Sequence, residues 1–503
     1  MSQITQRLTQ HLQQASSQKI IKDESQGRWF NGTELAGDVA QLVDLFRQQT
    51  IGHGDVVFVC LPNSAVYPVL TQAIWEVGAV MHPVAATTPA GELQAALNEQ
   101  TYAATIVSDH LLPAAQAGRP TRLVELLLNT VDHLAVVRNQ AVTGHPVADP
   151  GEDDLGLILN TSGTTGKPKR VGLTHRLLWN GAQHDIASHR LTAADTTLIT
   201  MPMFHINAQV VSVLSTRLSG GKLVITPKFS AHNFWPQVQA NGVTWASVVP
   251  TIINILLINP AARASYTGQQ PLRFVRCSSF SLPRQKLTQF EHDYQTRVLE
   301  GYGMTETASQ CTLNPFDAPK IGSAGRPVGT EMAVLCSGHF EKTANQIGEI
   351  AVKGDHVITR YLDPHPDAFQ DGWFLTGDLG YFDADGYLFI TGRKKDIISV
   401  GGEKVAPVHV ENVLSQLAFV KEVTVIGTPD DLYGERVTAV IIGRPGDQER
   451  QRQAIFTQAQ QQLATYEQPK QVLFVRDYPR NATGKVLRPQ LRRQLVAELG
   501  AGA

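Results

Sequence analysis

The chain has 503 residues, 42% of them hydrophobic, enough to bury large cores and, by length, to suggest two to four domains. With 43 basic and 45 acidic residues interspersed and a net charge of −2, it has no broad field for nucleic acid or an anionic membrane. Any phosphate recognition must therefore be local.

Cys60, Cys277, Cys311 and Cys336 lie far apart, without metal-ligand or CxxC spacing, and read as buried small residues in a reducing cytoplasm. Met1 to Leu8 lacks the apolar run of a secretory leader, and the last residues spell no peroxisomal address. The most apolar stretch, around Val248 to Ile258, contains Pro250, Thr251 and Asn254 and is too short to span a bilayer. A cytoplasmic protein without integral membrane association or nucleic-acid partner is expected.

In chain order, short apolar runs at Val56–Cys60, Leu155–Leu159, Thr197–Thr200, Lys222–Ile225, Thr244–Val249 and Phe274–Arg276 alternate with helical patterns. That alternation predicts an α/β fold of layered subdomains. From Gly325 to about Ile390, strand-like alternation punctuated by turns such as Asp383 to Gly386 predicts a β-rich portion. Beyond it, a helix over Pro407–Leu417, strands at Val423–Gly427 and Val437–Ile442, a Gln-rich helix over Gln448–Ala464, a strand at Gln471–Val475 and a closing helix make a small α+β domain. The expected boundary lies within Arg393–Ile397, giving a large domain over 1–394 and a small one over 395–503.

Between the run ending at Leu159 and a following helical pattern stand Thr161, Ser162, Gly163, Thr164, Thr165, Gly166, Lys167, Pro168 and Lys169. Glycines admit phosphate oxygens close to the backbone, hydroxyls and N–H groups donate to them, and lysines supply charge. Only two residues separate Gly163 from Gly166, and Pro168 follows Lys167, so this is not a Walker A loop. By itself such a loop is more often an ordinary polar connection.

Five further segments follow: Met201 to His205, Gly301-Tyr302-Gly303-Met304-Thr305-Glu306, Thr376-Gly377-Asp378, Gly392 to Asp396, and Asn481 to Lys485. With the loop, their order and spacing across nearly the whole chain resemble the adenylate-forming superfamily of acyl-CoA synthetases, luciferases and peptide-synthetase adenylation domains. The resemblance implies that ATP and Mg²⁺ activate a carboxylic acid as acyl-AMP with loss of pyrophosphate, and that coenzyme A then takes the acyl group. Two anions must meet in the first step, so the site has to cancel negative charge.

The resemblance also implies residue roles. Lys485 would reach between carboxylate and α-phosphate; one charge at about 4 Å and an effective dielectric near 20 is worth roughly 4 kcal/mol, on the order of a thousandfold in rate. Glu306 would be the Mg²⁺ carboxylate, Thr305 an α-phosphate donor, and Tyr302, between Gly301 and Gly303, an adenine platform. Asp378 and Arg393 would hold the ribose, with Ser278 and Ser279 also near the nucleotide. His205 would border the acyl and nucleotide pockets and gate or orient the acid. Lys395 would be the hinge of a mobile C-terminal domain, and Gly401 and Gly402 would line the thiol path after rotation.

Phe229 to Trp235, Val243 to Ile252 and Arg276 to Ser279 look most like the oxalate-CoA ligase subgroup. Two departures stand out. Phe280 replaces a small residue, which favours a short acid, and Ser309 replaces a histidine, which removes a partner for a second carboxylate. A small carboxylic or dicarboxylic acid is expected, oxalate leading, surrounded by His205, Ser279, Phe280, Ser309 and Gln310. Competing readings are a stand-alone adenylation domain loading a carrier protein, a luciferase-like oxygenase, and a catalytically inactive homologue used as a binding subunit. A homodimer is left open.

Overall fold

A computed structural model of the chain describes residues 1–161, 169–269, 272–280, 282–480 and 484–500. Among them four sheets carry the architecture. The first runs, in spatial order, Thr121–Leu126, Leu134–Asn139, Ala104–Val107, Val56–Cys60, Val80–Pro83, Leu155–Thr161 and Lys169–Thr174. In the second the order is Arg326–Pro327, Thr312–Leu313, Val298–Tyr302, Phe274–Cys277, Trp245–Val248, Thr196–Ile199, Lys222–Ile225, Lys19–Asp23 and Arg28–Asn31. From Val298–Tyr302 to Lys19–Asp23 that sheet is parallel. Strands such as Trp245–Val248 and Phe274–Cys277 are buried at every residue, as unbroken apolar runs in a parallel sheet must be.

The β-rich portion is antiparallel and centres on Trp373–Phe382, which pairs with Gly348–Gly354, Phe369–Gln370 and Leu388–Arg393. A fourth sheet joins Glu403–Val405, Ile398–Val400, Gly434–Gly443, Val420–Asp430 and Gln471–Phe474, packed with helices Pro407–Leu414, Gln448–Gln462 and Arg488–Gly500. One hydrophobic core runs from Ile4 to Leu388, and a separate one gathers Ile398, Val410, Val425, Ile441 and Ile455. The molecule is thus a large N-terminal α/β domain with a β-rich part and a smaller α+β C-terminal domain.

Two sequence expectations change. Lys169 does not lead directly into a helix: Lys169–Thr174 pairs antiparallel with Leu155–Thr161, with Thr161 opposite Lys169, and helix His175–His189 starts only after Thr174 caps it. Leu155–Thr161 and Lys169–Thr174 are therefore the paired arms of a β-hairpin. The sheet edge offered by Leu155–Thr161 outweighs the helical pattern of the residues that follow. Cys336 is only half-buried, whereas Cys60, Cys277 and Cys311 are buried as expected.

Candidate active site

Strand Val298–Tyr302 leads into Gly303, where a Cβ would stand 2.4 Å from the Ser309 carbonyl oxygen and 2.5 Å from Gln310 Cα. Glycine is what lets the chain double back so closely. Thr305–Thr307 then makes one 3₁₀ turn, ended by Ala308 at φ 53°, and this turn presents Glu306. Glu306 is 8% exposed. The Tyr361 hydroxyl donates to its Oε1 at 2.8 Å. Burial raises the Glu306 pKa, opposed by that hydrogen bond and by the charges of Lys169 and Arg393. Lys169 Nζ lies 4.6 Å from the Tyr361 ring centroid, so this lysine reaches the same corner.

Asp378 and Arg393 are register partners on adjacent antiparallel strands, which sets their side chains together. Arg393 Nε is 2.7 Å from Asp378 Oδ1, and the Tyr302 hydroxyl donates to Asp378 Oδ2 at 2.7 Å. Asp378 is only 4% exposed. Burial works against the Arg393 charge, but Asp378, Tyr302 and Asp396 more than offset it and raise its pKa.

Lys485 arrives in this space from the far end of the chain. Its pKa is pulled down to about 8, chiefly by burial and then by the Arg393 charge; Asp378 and Asp396 act the other way, and Lys395 adds to the lowering. The preceding Gly484 has φ +82°, and a Cβ on it would stand 3.4 Å from Thr251 Oγ1, so the turn lies against the start of helix Pro250–Ile258. Arg480 ties the same loop to its own domain, donating to the Gly484 carbonyl at 3.1 Å and to Glu422 at 2.6 Å. Lys395 sits in the turn Lys394–Asp396, its pKa lowered by burial and by Arg393. Its neighbour Lys394 bonds Glu349 at 2.8 Å. Gly401 and Gly402, at φ +59° and +95°, make the exposed two-residue turn between Ile398–Val400 and Glu403–Val405.

On the acid side, His205 packs its ring 4.0 Å from Phe204, and burial lowers its pKa to about 4, so the imidazole is neutral near pH 7. The wide π-helical turns Asn207–Leu214 follow directly. Beyond strand Phe274–Cys277 the chain passes through Ser278, buried, then Ser279 at φ +86°, a conformation rare for any residue but glycine. Ser279 is exposed, and Phe280, at 39%, stands at the surface rather than sealed inside.

Behind Ser278 lies a polar network most of whose members fall in segments the sequence singled out but whose connections it did not show. Arg276 is buried and donates to Ser278 Oγ at 2.6 Å, Ser247 Oγ at 3.3 Å and Gln310 Oε1 at 3.3 Å. Gln310 donates onward to Ser188 Oγ at 2.7 Å, and Ser247 to Asn207 Oδ1 at 2.7 Å. Ser309 is also buried, its hydroxyl donating to the Gly181 carbonyl at 3.3 Å. Ser309 and Gln310 thus face the helix His175–His189 and the Arg276 network. Tyr361 was likewise not anticipated, because it stands in a stretch without distinctive spacing, and Thr251, although inside the subgroup-like stretch Val243 to Ile252, was given no role. Ser162, Gly163, Thr164, Thr165, Gly166 and Lys167, expected to cradle phosphates, lie outside the described residues, as do Asn481, Ala482 and Thr483.

An α/β domain with a small α+β domain whose lysine meets an Asp–Arg–Tyr cluster is the architecture of adenylate-forming enzymes. The AMP-binding enzyme profile matches residues 8–362, the AMP-binding enzyme C-terminal domain matches 409–485, and the chain belongs to this family as an AMP-forming acyl-CoA ligase. It is 35% identical to a sulfoacetate–CoA ligase of Cupriavidus necator over 469 residues, 91% of each chain. With an oxalate–CoA ligase of Arabidopsis thaliana it shares 34% identity over 468 residues, 88% of each. Its fold superposes on ATP-bound MatB from Rhodopseudomonas palustris with a TM-score of 0.84 at 26% identity, covering 99% of both chains. Among the described residues no helix is long and apolar enough to cross a membrane.

Proposed function

We propose that this ligase activates a short acid bearing a second anionic group, oxalate foremost, as its acyl-AMP, and then transfers the acyl group to coenzyme A. The observation that carries the adenylation reading is Lys485 brought beside Asp378 and Arg393. A carboxylate oxygen attacks the α-phosphorus and the bond to the β-phosphate breaks, with pyrophosphate leaving. Lys485 lies between the two anions as they approach, and Thr305 donates to the α-phosphate. Asp378, held by Tyr302 and Arg393, accepts from the ribose hydroxyls, and Tyr302, between Gly301 and Gly303, lies against adenine. Ser278 and Ser279 border the nucleotide. The loop from Thr161 to Lys169 holds the departing phosphates.

Glu306 fits Mg²⁺: it is a hard oxygen ligand, and burial raises its pKa, so a cation is what would keep it ionised. When bound there, the ion supplies charge neutralisation between phosphate oxygens. In the second half-reaction the thiol sulfur attacks the acyl carbonyl, the carbon–oxygen bond to AMP breaks, and the thiol proton goes to solvent. Rotation of 395–503 against 1–394 about Lys395 removes Lys485 and brings Gly401 and Gly402 to the thiol path.

For the acid, support comes from Arg276. It donates hydrogen bonds to the neutral groups of Ser278, Ser247 and Gln310, so its charge stands behind Ser278, whose oxygen accepts from it and whose proton is left to donate outward. That arrangement suits an anionic end of a short substrate near His205, Ser279 and Phe280, with Ser309 and Gln310 acting from behind. Two of the relatives are named for acids with two anionic groups, directly joined in oxalate and separated by one methylene in sulfoacetate.

Incubation with ATP, Mg²⁺ and a panel of oxalate, sulfoacetate, malonate, acetate, benzoate and a long-chain acid, with and without CoA, tests the proposal. AMP and thioester formation favouring the doubly anionic acids is expected. Best turnover on a monoanionic or long-chain acid would overturn the substrate class. Acid-dependent ATP–pyrophosphate exchange without turnover on CoA would point to a carrier-protein acceptor, and no exchange with any acid to a binding subunit.

A further inference from the structure

Helix His175–His189 and the turn after strand Gly348–Gly354 bring His184, Asp355 and His356 together. His184 Nε2 is 2.8 Å from Asp355 Oδ1, and His356 Nδ1 is 3.3 Å from the same oxygen. One ligand atom from each residue lies within 4.8 Å of the others.

The hydrogen bonding of His356 is what turns this cluster from a surface ion pair into a site. His356 is fully buried, and its Nε2 is 3.1 Å from the Gln310 carbonyl oxygen. A carbonyl can only accept, and the Thr330 hydroxyl, 3.4 Å from the same nitrogen, gives its own proton to the Val328 carbonyl, so Nε2 carries a proton and a neutral ring keeps its lone pair on Nδ1. That lone pair faces a carboxylate oxygen, one acceptor against another. Either a second ring proton, which makes an ion pair with Asp355, or a metal cation between them resolves the conflict. An imidazole whose far nitrogen donates to a backbone carbonyl is also the usual outer-sphere arrangement of a metal-bound histidine.

We propose that His184 Nε2, Asp355 and His356 Nδ1 bind one divalent transition metal ion of the zinc class, separate from the Mg²⁺–nucleotide site. Two imidazoles and a carboxylate suit Zn²⁺, Co²⁺ or Ni²⁺ and not Mg²⁺. Tetrahedral ligands at zinc distances stand about 3.3 Å apart, so His356 Nδ1 and Asp355 already have that spacing, the 2.8 Å His184–Asp355 contact has to open slightly, and the widest separation, within 4.8 Å, has to close by about 1.5 Å. The side chains of Asp355, at 58%, and His184, at 25%, leave a route for the ion and a water in the fourth position. The surroundings hold the ligands in place. Gly329 has φ +60°, and a Cβ there would fall 2.3 Å from His184 Nδ1, so glycine makes room for the ring. Asn180 donates to the Asp355 carbonyl at 2.9 Å.

The bound ion would act on the reaction site from behind. His356 holds the Gln310 carbonyl, and Ile358 N–H donates to the Glu306 carbonyl at 2.9 Å. Fixing 355–358 to the helix therefore braces the segment that presents Glu306, without touching nucleotide.

The test uses the full chain stripped with EDTA. Titration with Zn²⁺ by calorimetry, and with Co²⁺ by visible absorption, is expected to give one equivalent, a tetrahedral Co²⁺ spectrum and a raised melting temperature. His184→Gln and Asp355→Asn should each weaken Zn²⁺ binding at least tenfold and abolish the melting shift, while the metal-free variants melt like the metal-free parent. Absence of stoichiometric binding, or equal Zn²⁺ affinity in parent and both variants, overturns the proposal. The readout is metal binding itself, so failure here leaves the ligase reading standing.

Discussion

A lysine that must neutralise two anions has to keep its proton in a place that disfavours charge. Burial and Arg393 bring the Lys485 pKa down to about 8, so in the free enzyme the charged form is lost as pH rises through that value. kcat/KM for MgATP in the adenylation half-reaction should therefore fall above about pH 8. In kcat the falling limb should lie higher, because bound phosphates favour the ammonium. A flat kcat/KM through pH 9.5 would contradict this. Replacing Lys485 by Ala should slow acyl-AMP formation on the order of a thousandfold, from roughly 4 kcal/mol of lost attraction, and leave thioester formation from supplied acyl-AMP largely intact. Tyr361→Phe removes the hydroxyl that holds Glu306. A hydrogen bond to a charged group is worth about 1.5–3 kcal/mol, so weakening of MgATP use by roughly ten- to a hundredfold is expected in initial-rate kinetics, with the acid KM little changed.

Helix His175–His189 shows how an element can carry an electrostatic load that its sequence does not advertise. Asp185 is fully buried on it, and neither carboxylate oxygen has a hydrogen-bond partner among the described residues. Burial raises its pKa to about 8, with Arg276 opposing only in part. Its unfolded value is about 3.9, so between roughly pH 4 and 8 the folded chain holds a proton that the unfolded chain has released. Stability from this group is present at the acid end and declines as pH rises through that window. Asp185→Asn should flatten the decline, melting higher than the parent at pH 8.5 and nearer to it at pH 5; parallel melting curves across pH would refute the assignment. Nothing in the sequence separates Asp185 from the exposed aspartates at 153 and 355, because burial is decided by what packs on the helix. The hairpin before it was hidden for the same reason. Lys169–Thr174 becomes a strand by pairing with Leu155–Thr161, a contact set by a neighbouring chain segment rather than by local propensity.

At the scale of the whole molecule, one hydrophobic core ends near Leu388 and another begins at Ile398, with Lys394–Asp396 between them. Lys485 crosses from the second unit to the residues of the first. The proposed alternation between two half-reactions requires this link to turn. Lys395→Pro removes φ freedom at the turn and should leave acyl-AMP formation within a fewfold of normal while slowing thioester formation at least tenfold. Single-turnover assays of each half-reaction would separate the two effects, and equal losses in both would rule out a hinge at this residue.

By itself the sequence determined the alternation of strands and helices, the β-rich stretch, the small final domain and the family motifs. Those features are local in chain position or depend on apolar period, and period survives without knowledge of what packs on what. Only the tertiary structure decided that Asp378 faces Arg393, that Tyr361 holds Glu306, that Arg276 stands behind Ser278, and that His184 meets Asp355 and His356. Each of these joins residues distant in the chain or fixes a side chain by strand register and burial. Charge chemistry depends on separation in space, and no spacing along the chain encodes it.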